Sequence, residues 1–205
     1  MQRCYAQWSR PALPNNDRVL DSVAAYSNAP QDYVERYSDH LLDRPRKFAK
    51  QLPVPSRILD LGCGPGRDLR IFAECGHKAI GLDLNPDFVQ LASTHGDVTL
   101  GDIRDVASLF SPSSFDGIWA QASLVHLSHD ETVRVLETLN LLLAPNGHFY
   151  ACVSAFGETG WREEADGRRW YRAWPGHTFA EEVENAGFIV NEITDGVYVE
   201  VWATK

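Results

Sequence analysis

The run Asp60-Leu61-Gly62-Cys63-Gly64-Pro65-Gly66 closes a short apolar segment, Arg57 to Leu61, and constrains this chain more than any other feature. Three glycines at alternate positions, after a strand pattern and before a helical one, let a ligand approach the backbone closely. Open α/β sheets hold their ligands at this C-terminal edge. The plain alternative is a tight turn that needs positive φ. A dinucleotide fingerprint wants its third glycine at relative position six, which counted from Gly62 is Arg67. Asp60 sits two residues ahead of the first glycine. An acid there suits an ammonium group better than a pyrophosphate, so a nucleoside that carries an amino acid fits the loop.

Strands and helices alternate after the loop. Asp68 to Cys75 is helical with Gly76 as its C-terminal stop. Residues 79–82 form a second strand, and a helix opens near Pro86. Residues 97–100, 115–120 and 148–154 are further strands, with a long amphipathic helix over 131–144 and a turn at Pro145-Asn146-Gly147. This order predicts an α/β fold with a parallel sheet covered on both faces. The end of the chain differs: 188–194 and 197–203 are strands separated only by Asp195-Gly196, a strong hairpin signal. Ahead of the sheet, Val19 to Leu52 has a helical pattern, broken by Pro53 and Pro55. Residues 1–17 read as a loose tail.

Two acids follow the strand ends. Asp83 closes the second strand about 20 residues after the loop begins, where a carboxylate can accept both ribose hydroxyl hydrogens. It is otherwise a cap for the helix at Pro86, although Asn85 stands better for that. Asp102 follows the third strand, and either accepts an amino hydrogen from adenine or serves as a turn or cap residue.

Here the sequence resembles the class I S-adenosylmethionine-dependent methyltransferases. The matching stretches are residues 58–68, Gly81 to Asn85, Gly101 to Ile103, Phe115 to Ala120 and Ala186-Gly187-Phe188. The resemblance implies a Rossmann-like, doubly wound, seven-stranded sheet over residues 53–205 with an N-terminal helical cover, so that residues 1–52 are tail and lid. It also implies the cofactor S-adenosylmethionine, with S-adenosylhomocysteine as product. Asp60, Gly62, Gly64 and Gly66 would surround the methionine part, and Asp83 the ribose. Leu84, Asp102 and Ile103 would meet the adenine, while Ala120 and Gln121 would flank the sulfonium. Tyr26 and Tyr37 would close over the cofactor, or else pack on the sheet.

A methyl acceptor that must lose a proton needs a base. His126, six residues after the fourth strand, is the candidate, with packing against the site as its alternative. Residues 155–177 hold Trp161, Trp170 and Trp174 with four arginines, Arg172 among them. They are either a solvated loop laced with ion pairs or the wall of the acceptor site, with Trp161, Trp170, Arg172 and Trp174 as its contacts.

Composition narrows the acceptor. With 28 acidic and 19 basic side chains the chain carries a formal charge of −9, which repels phosphate backbones and favours a small-molecule acceptor over nucleic acid. The four cysteines form no C-x-x-C pair and no zinc spacing, so no metal is expected and reduced thiols in a cytoplasm are. No apolar run is long enough for a membrane span. The first 17 residues lack a signal peptide's apolar centre. The oligomeric state is left open.

Overall fold

The structure, a computed structural model, describes residues 17–205. The tail reading lies outside the described residues except at Asp17, which caps the first helix. Asp17 accepts from the backbone N–H groups of Val19 and Leu20. Helices α1 (Arg18–Tyr26), α2 (Pro30–Tyr37) and α3 (Asp43–Lys50) precede the sheet. Then come β1 (Arg57–Leu61), α4 (Arg67–Glu74), β2 (Lys78–Asp83), α5 (Pro86–Ala92), β3 (Asp97–Leu100), α6 (Val106–Leu109), β4 (Phe115–Gln121), α7 (His129–Leu142) and β5 (Leu143–Ser154). The chain finishes with β6 (Gly160–Glu164), β7 (Gly167–Tyr171), α8 (Gly176–Asn185), β8 (Ile189–Asp195) and β9 (Tyr198–Thr204).

Seven strands make one sheet in the order β3-β2-β1-β4-β5-β9-β8. The first five are parallel, and β9 runs antiparallel to both β5 and β8. This is the doubly wound sheet with its terminal hairpin. The central strands are apolar because helices cover both faces. On one face Leu59, Leu61, Ile118 and Phe149 pack with α7 and α8 through Leu136, Leu139, Phe179 and Val183. On the other, Ile58, Trp119, Tyr150 and Trp202 pack with Phe48 of α3 and Phe72 of α4. Trp119 and Tyr150 stack with ring centroids 4.0 Å apart.

Local chemistry sets the helix starts. Ser128 and Glu131 form a reciprocal capping box for α7, so that helix begins before Glu131 and ends at Leu142 rather than 144. Asn85 caps α5 by accepting from Asp87 and Phe88. The Pro145-Asn146-Gly147 turn falls inside the span of β5 as an irregularity. Pairing with β4 jumps there from Phe115↔Leu143 to Gly117↔His148.

Two elements differ from the expectation. Residues 155–177 are not a loop but contain a hairpin, in which β6 and β7 pair antiparallel from Gly160↔Tyr171 to Glu164↔Gly167. Helix α8 follows it, unforeseen, with Phe179, Ala180 and Val183 on its buried side.

Candidate active site

The strand order reverses between β1 and β4, and the loops after both strands open into one cleft, as at the switch point of other open α/β sheets. The glycine loop is tied down first. The N–H groups of Gly62 and Cys63 both donate to the Leu82 carbonyl, at 2.7 and 3.1 Å. Gly62 has φ +69°, and a Cβ there would come within 2.4 Å of the Ser123 Cβ. A side chain at Gly62 would therefore strain the backbone and collide with the turn after β4. Gly66, at φ +89°, begins α4.

Asp60 and Asp83 stand on either side of this loop. Asp60 is 2% exposed, and its Oδ2 has no hydrogen-bond partner. Burial and the neighbouring Asp68 hold its carboxyl well above the usual carboxylate range, and only Arg67 acts against them. Asp68 itself is spent on other partners: it pairs with Arg67 and accepts from the Trp119 indole at 2.8 Å. Asp83 accepts from the N–H groups of Gly64 and Asn85, each at 2.8 Å, and burial raises its pKa.

Two cavities meet above the loop. The smaller, about 90 Å³, is lined by Asp83, Leu84, Phe88, Asp102 and Ile103. The larger, about 550 Å³, runs from Asp60 and the glycine loop past Tyr37 to the β6–β7 hairpin. Tyr26, Tyr33, Gly62, Gly64, Gln121 and Ala122 line both, so these residues mark the junction. The residues fit the cofactor that the sequence implies. An orphaned buried carboxylate, Asp60, meets the need of an ammonium group, and Asp83 closes β2 beside a cavity walled by Leu84 and Ile103. The buried Oε1 of Gln121 also lacks a partner.

Other candidates are placed differently. Asp102 lines the small cavity, but its carboxylate accepts from the Arg104 backbone N–H at 2.8 Å and from the Arg104 guanidinium at 2.6–3.0 Å. It caps the turn after β3, the role that stood as its alternative, and is also ion-paired to Arg104. Ala120 is fully buried in the core and lines neither cavity. The cover is anchored by Arg67, which donates to the carbonyls of Tyr37 and His40.

His126 is 6% exposed, and both ring nitrogens are engaged. Nδ1 lies 2.6 Å from the Trp170 carbonyl, which can only accept, so Nδ1 carries the proton. Nε2 then accepts from the Tyr26 hydroxyl at 3.0 Å. Burial pushes the imidazole down to about 4, so it is neutral near pH 7. In this arrangement His126 lines the small cavity and holds Tyr26 and the hairpin, while Tyr26 reaches both cavities.

The hairpin meets the cavity with the face opposite to its tryptophans. Arg162, Glu164, Arg169 and Tyr171 line the cavity, with Phe156 just before them. Trp161 and Trp170 pair across the strands on the other face. There Arg168 lies over Trp161 and Arg18 of α1 over Trp170. Arg172 covers Trp174, which is 1% exposed and packs on Phe179 in the core. Thus Trp161, Trp170, Arg172 and Trp174 all lie outside both cavities. Because side chains alternate along a strand, placing the hairpin would have reassigned the wall to Arg162, Arg169 and Tyr171. The signal was Asp166-Gly167, which closes the two-residue turn between β6 and β7.

Comparison with known proteins agrees with this geometry. The family model described as a methyltransferase domain matches residues 58–147. An 18S rRNA (guanine-N(7))-methyltransferase of Mus musculus is 41% identical over 66 residues, 31% of this chain and 23% of that protein. A ubiquinone biosynthesis O-methyltransferase of Xanthomonas campestris pv. campestris is 27% identical over 145 residues, 64% of this chain and 58% of that protein. The chain thus spans less than two thirds of the length of these curated relatives. The crystal structure of Burkholderia thailandensis 1,6-didemethyltoxoflavin-N1-methyltransferase, with 1,6-didemethyltoxoflavin and S-adenosylhomocysteine bound, superposes with a TM-score of 0.73. It covers 100% of this chain and 98% of that one at 22% identity. Residues 58–147 match the methyltransferase-domain model, and the fold built on them is shared with that methyltransferase structure.

Proposed function

We propose that this chain transfers the methyl group of S-adenosylmethionine to a small-molecule acceptor, at oxygen or nitrogen. The observation that carries the reading is the junction of the two cavities at Tyr26, Gly62, Gly64 and Gln121. A donor held by Asp60 and Asp83 would present its reactive end there, facing the larger cavity where an acceptor fits. When bound, S-adenosylmethionine supplies an electrophilic methyl on a sulfonium, so alignment and exclusion of water do much of the work. Asp60 would hold the ammonium, and Asp83 the ribose hydroxyls. Leu84 and Ile103 would wall the adenine.

The cover, residues 17–52, would exclude water. Tyr26 and Tyr33 stand at the junction with their rings 5.3 Å apart, and Phe88 of α5 lies against both. Among the described residues no helix is long and apolar enough to cross a membrane. We take the cytoplasm as the site of action.

An RNA acceptor is the second reading, favoured by the 41% identity to the rRNA enzyme over 66 residues. The formal charge of −9 weighs against it. The test is production of S-adenosylhomocysteine from S-adenosylmethionine with small aromatic acceptors and, in parallel, with ribosomal RNA. Turnover with the former alone supports our reading, and turnover with RNA alone replaces it. Binding of S-adenosylmethionine without turnover on either would point to a protein acceptor or to a non-catalytic cofactor-binding protein.

A further inference from the structure

A neutral hydroxyl can take a methyl group only if its proton goes somewhere, and the large cavity offers few places. His126 is occupied on both nitrogens, and burial pushes it down to about 4. Burial drives the phenols of Tyr26 and Tyr33 and the thiol of Cys63 up, so none of them is ionised near neutrality. Asp68 is committed to Arg67 and Trp119. Asp60 lies at the glycine loop, where it answers the donor's ammonium. Glu164, His40 and His95 face the cavity only from its exposed rim.

The same wall is well supplied with cationic donors. Arg162 Nη2 donates to the carbonyls of Phe156 and Glu158, at 2.9 and 3.2 Å. Its guanidinium lies over the rings of Phe156 and Tyr171, at 5.0 and 4.9 Å. No carboxylate lies within ion-pair distance of it among the described residues. Arg169 is 4% exposed and lies 3.8 Å over the Tyr26 ring. It is ion-paired to Asp166 through Nη2, while its Nε has no hydrogen-bond partner. A buried guanidinium N–H left without an acceptor costs free energy that a bound oxygen would recover. Phe156 and Tyr171 supply flat apolar surface beneath Arg162, and Tyr37 and Tyr198 line the same cavity.

We propose that the acceptor is a planar aromatic molecule already ionised at the oxygen to be methylated, a carboxylate or an acidic phenolate, with its charge received by Arg162 and the Nε of Arg169. This rests on the methyl-transfer reading. The oxyanion's lone pair forms the new O–CH3 bond as the electron pair of the breaking S–CH3 bond returns to sulfur. The negative charge and the sulfonium charge cancel, no proton leaves, and no base is required. Arg162 and Arg169 would thus decide which oxygen nucleophiles the cavity admits.

The test is calorimetric, on the full chain saturated with S-adenosylhomocysteine, with 2-naphthoate and its neutral counterpart 2-naphthamide as probes. Naphthoate should bind about tenfold more tightly than naphthamide, the scale of a hydrogen bond to a charged group. Arg162→Gln should erase that preference, whereas Arg168→Gln, on the outer face of the hairpin, should preserve it. Equal affinities, tighter naphthamide, binding of neither probe, or an unchanged preference in Arg162→Gln would overturn the proposal. The saturation step separates the two levels. Failure to bind S-adenosylhomocysteine overturns the methyl-transfer reading itself, while its binding without an anion preference overturns only the present inference.

Discussion

The hydroxyl of Tyr26, on the first helix of the cover, donates to Nε2 of His126, on the turn after β4, across 3.0 Å. The contact joins segments 100 residues apart. Because His126 Nδ1 also reaches the Trp170 carbonyl, one imidazole ties cover, sheet edge and hairpin together. The cover and hairpin meet directly as well. Ser22 Oγ accepts from the Trp170 N–H at 2.8 Å, and Asn28 donates to the Asp166 carbonyl at 2.8 Å.

This buried imidazole makes stability depend on pH. Its folded pKa of about 4 lies below the ordinary imidazole value of 6.5, so the unfolded chain binds the proton more readily. The contribution is therefore complete above about pH 6.5 and is lost as pH falls toward 4. On the order of 3 kcal/mol is at stake across that window. Urea unfolding of the wild type and of His126→Gln between pH 4 and 7.5 checks this. The difference between the two curves should shrink steadily on acidification, and a difference independent of pH would contradict it.

The hairpin's two faces should separate in kinetics. Tyr171→Ala removes a ring that lines the large cavity, and should raise the acceptor KM with little change in donor affinity. Trp161→Ala, on the outer face under Arg168, should leave both constants near wild type. Steady-state series varying each substrate in turn read this directly, and the reverse pattern would assign the wrong face to the acceptor.

Trp174 should behave as a core residue. It is 1% exposed and lies between His129 and Phe179. Trp174→Ala should cost about 3–5 kcal/mol of stability, as large-to-small core changes do. Donor binding, measured well below the lowered midpoint, should persist. A stable variant with impaired acceptor binding would restore Trp174 to the site.

The sheet could be read from the sequence because parallel central strands are continuous apolar runs and because Asp195-Gly196 signals a hairpin, although Asp195 itself closes β8 and the turn follows it. Residues 57–61 and 97–100 match β1 and β3 to the residue. The glycine loop, Asp60 and Asp83 could also be read, since local backbone and charge chemistry put them where they are. The hairpin of residues 160–171 could not be read from aromatic density alone. Trp161 and Trp170 look outward and Tyr171 inward only once a register is known, and register depends on the partner strand. Asp102 likewise depends on Arg104, whose guanidinium had no reason to stand out among 19 basic residues. The cover was legible as helices but not as an integral layer. Val19 is buried in the main core and Val23 packs against it, so α1 is packed on the sheet.

The central claim is that Asp60, the glycine loop and Asp83 hold the methyl donor. Calorimetric titration of the wild type and of Asp83→Asn with S-adenosylhomocysteine tests it most directly, with thermal unfolding as the check on folding. The account predicts one-to-one binding by the wild type. In the folded variant binding should be weaker by about 1.5–3 kcal/mol, roughly ten- to a hundredfold. No binding by the wild type, or unchanged affinity in a folded Asp83→Asn variant, would contradict it.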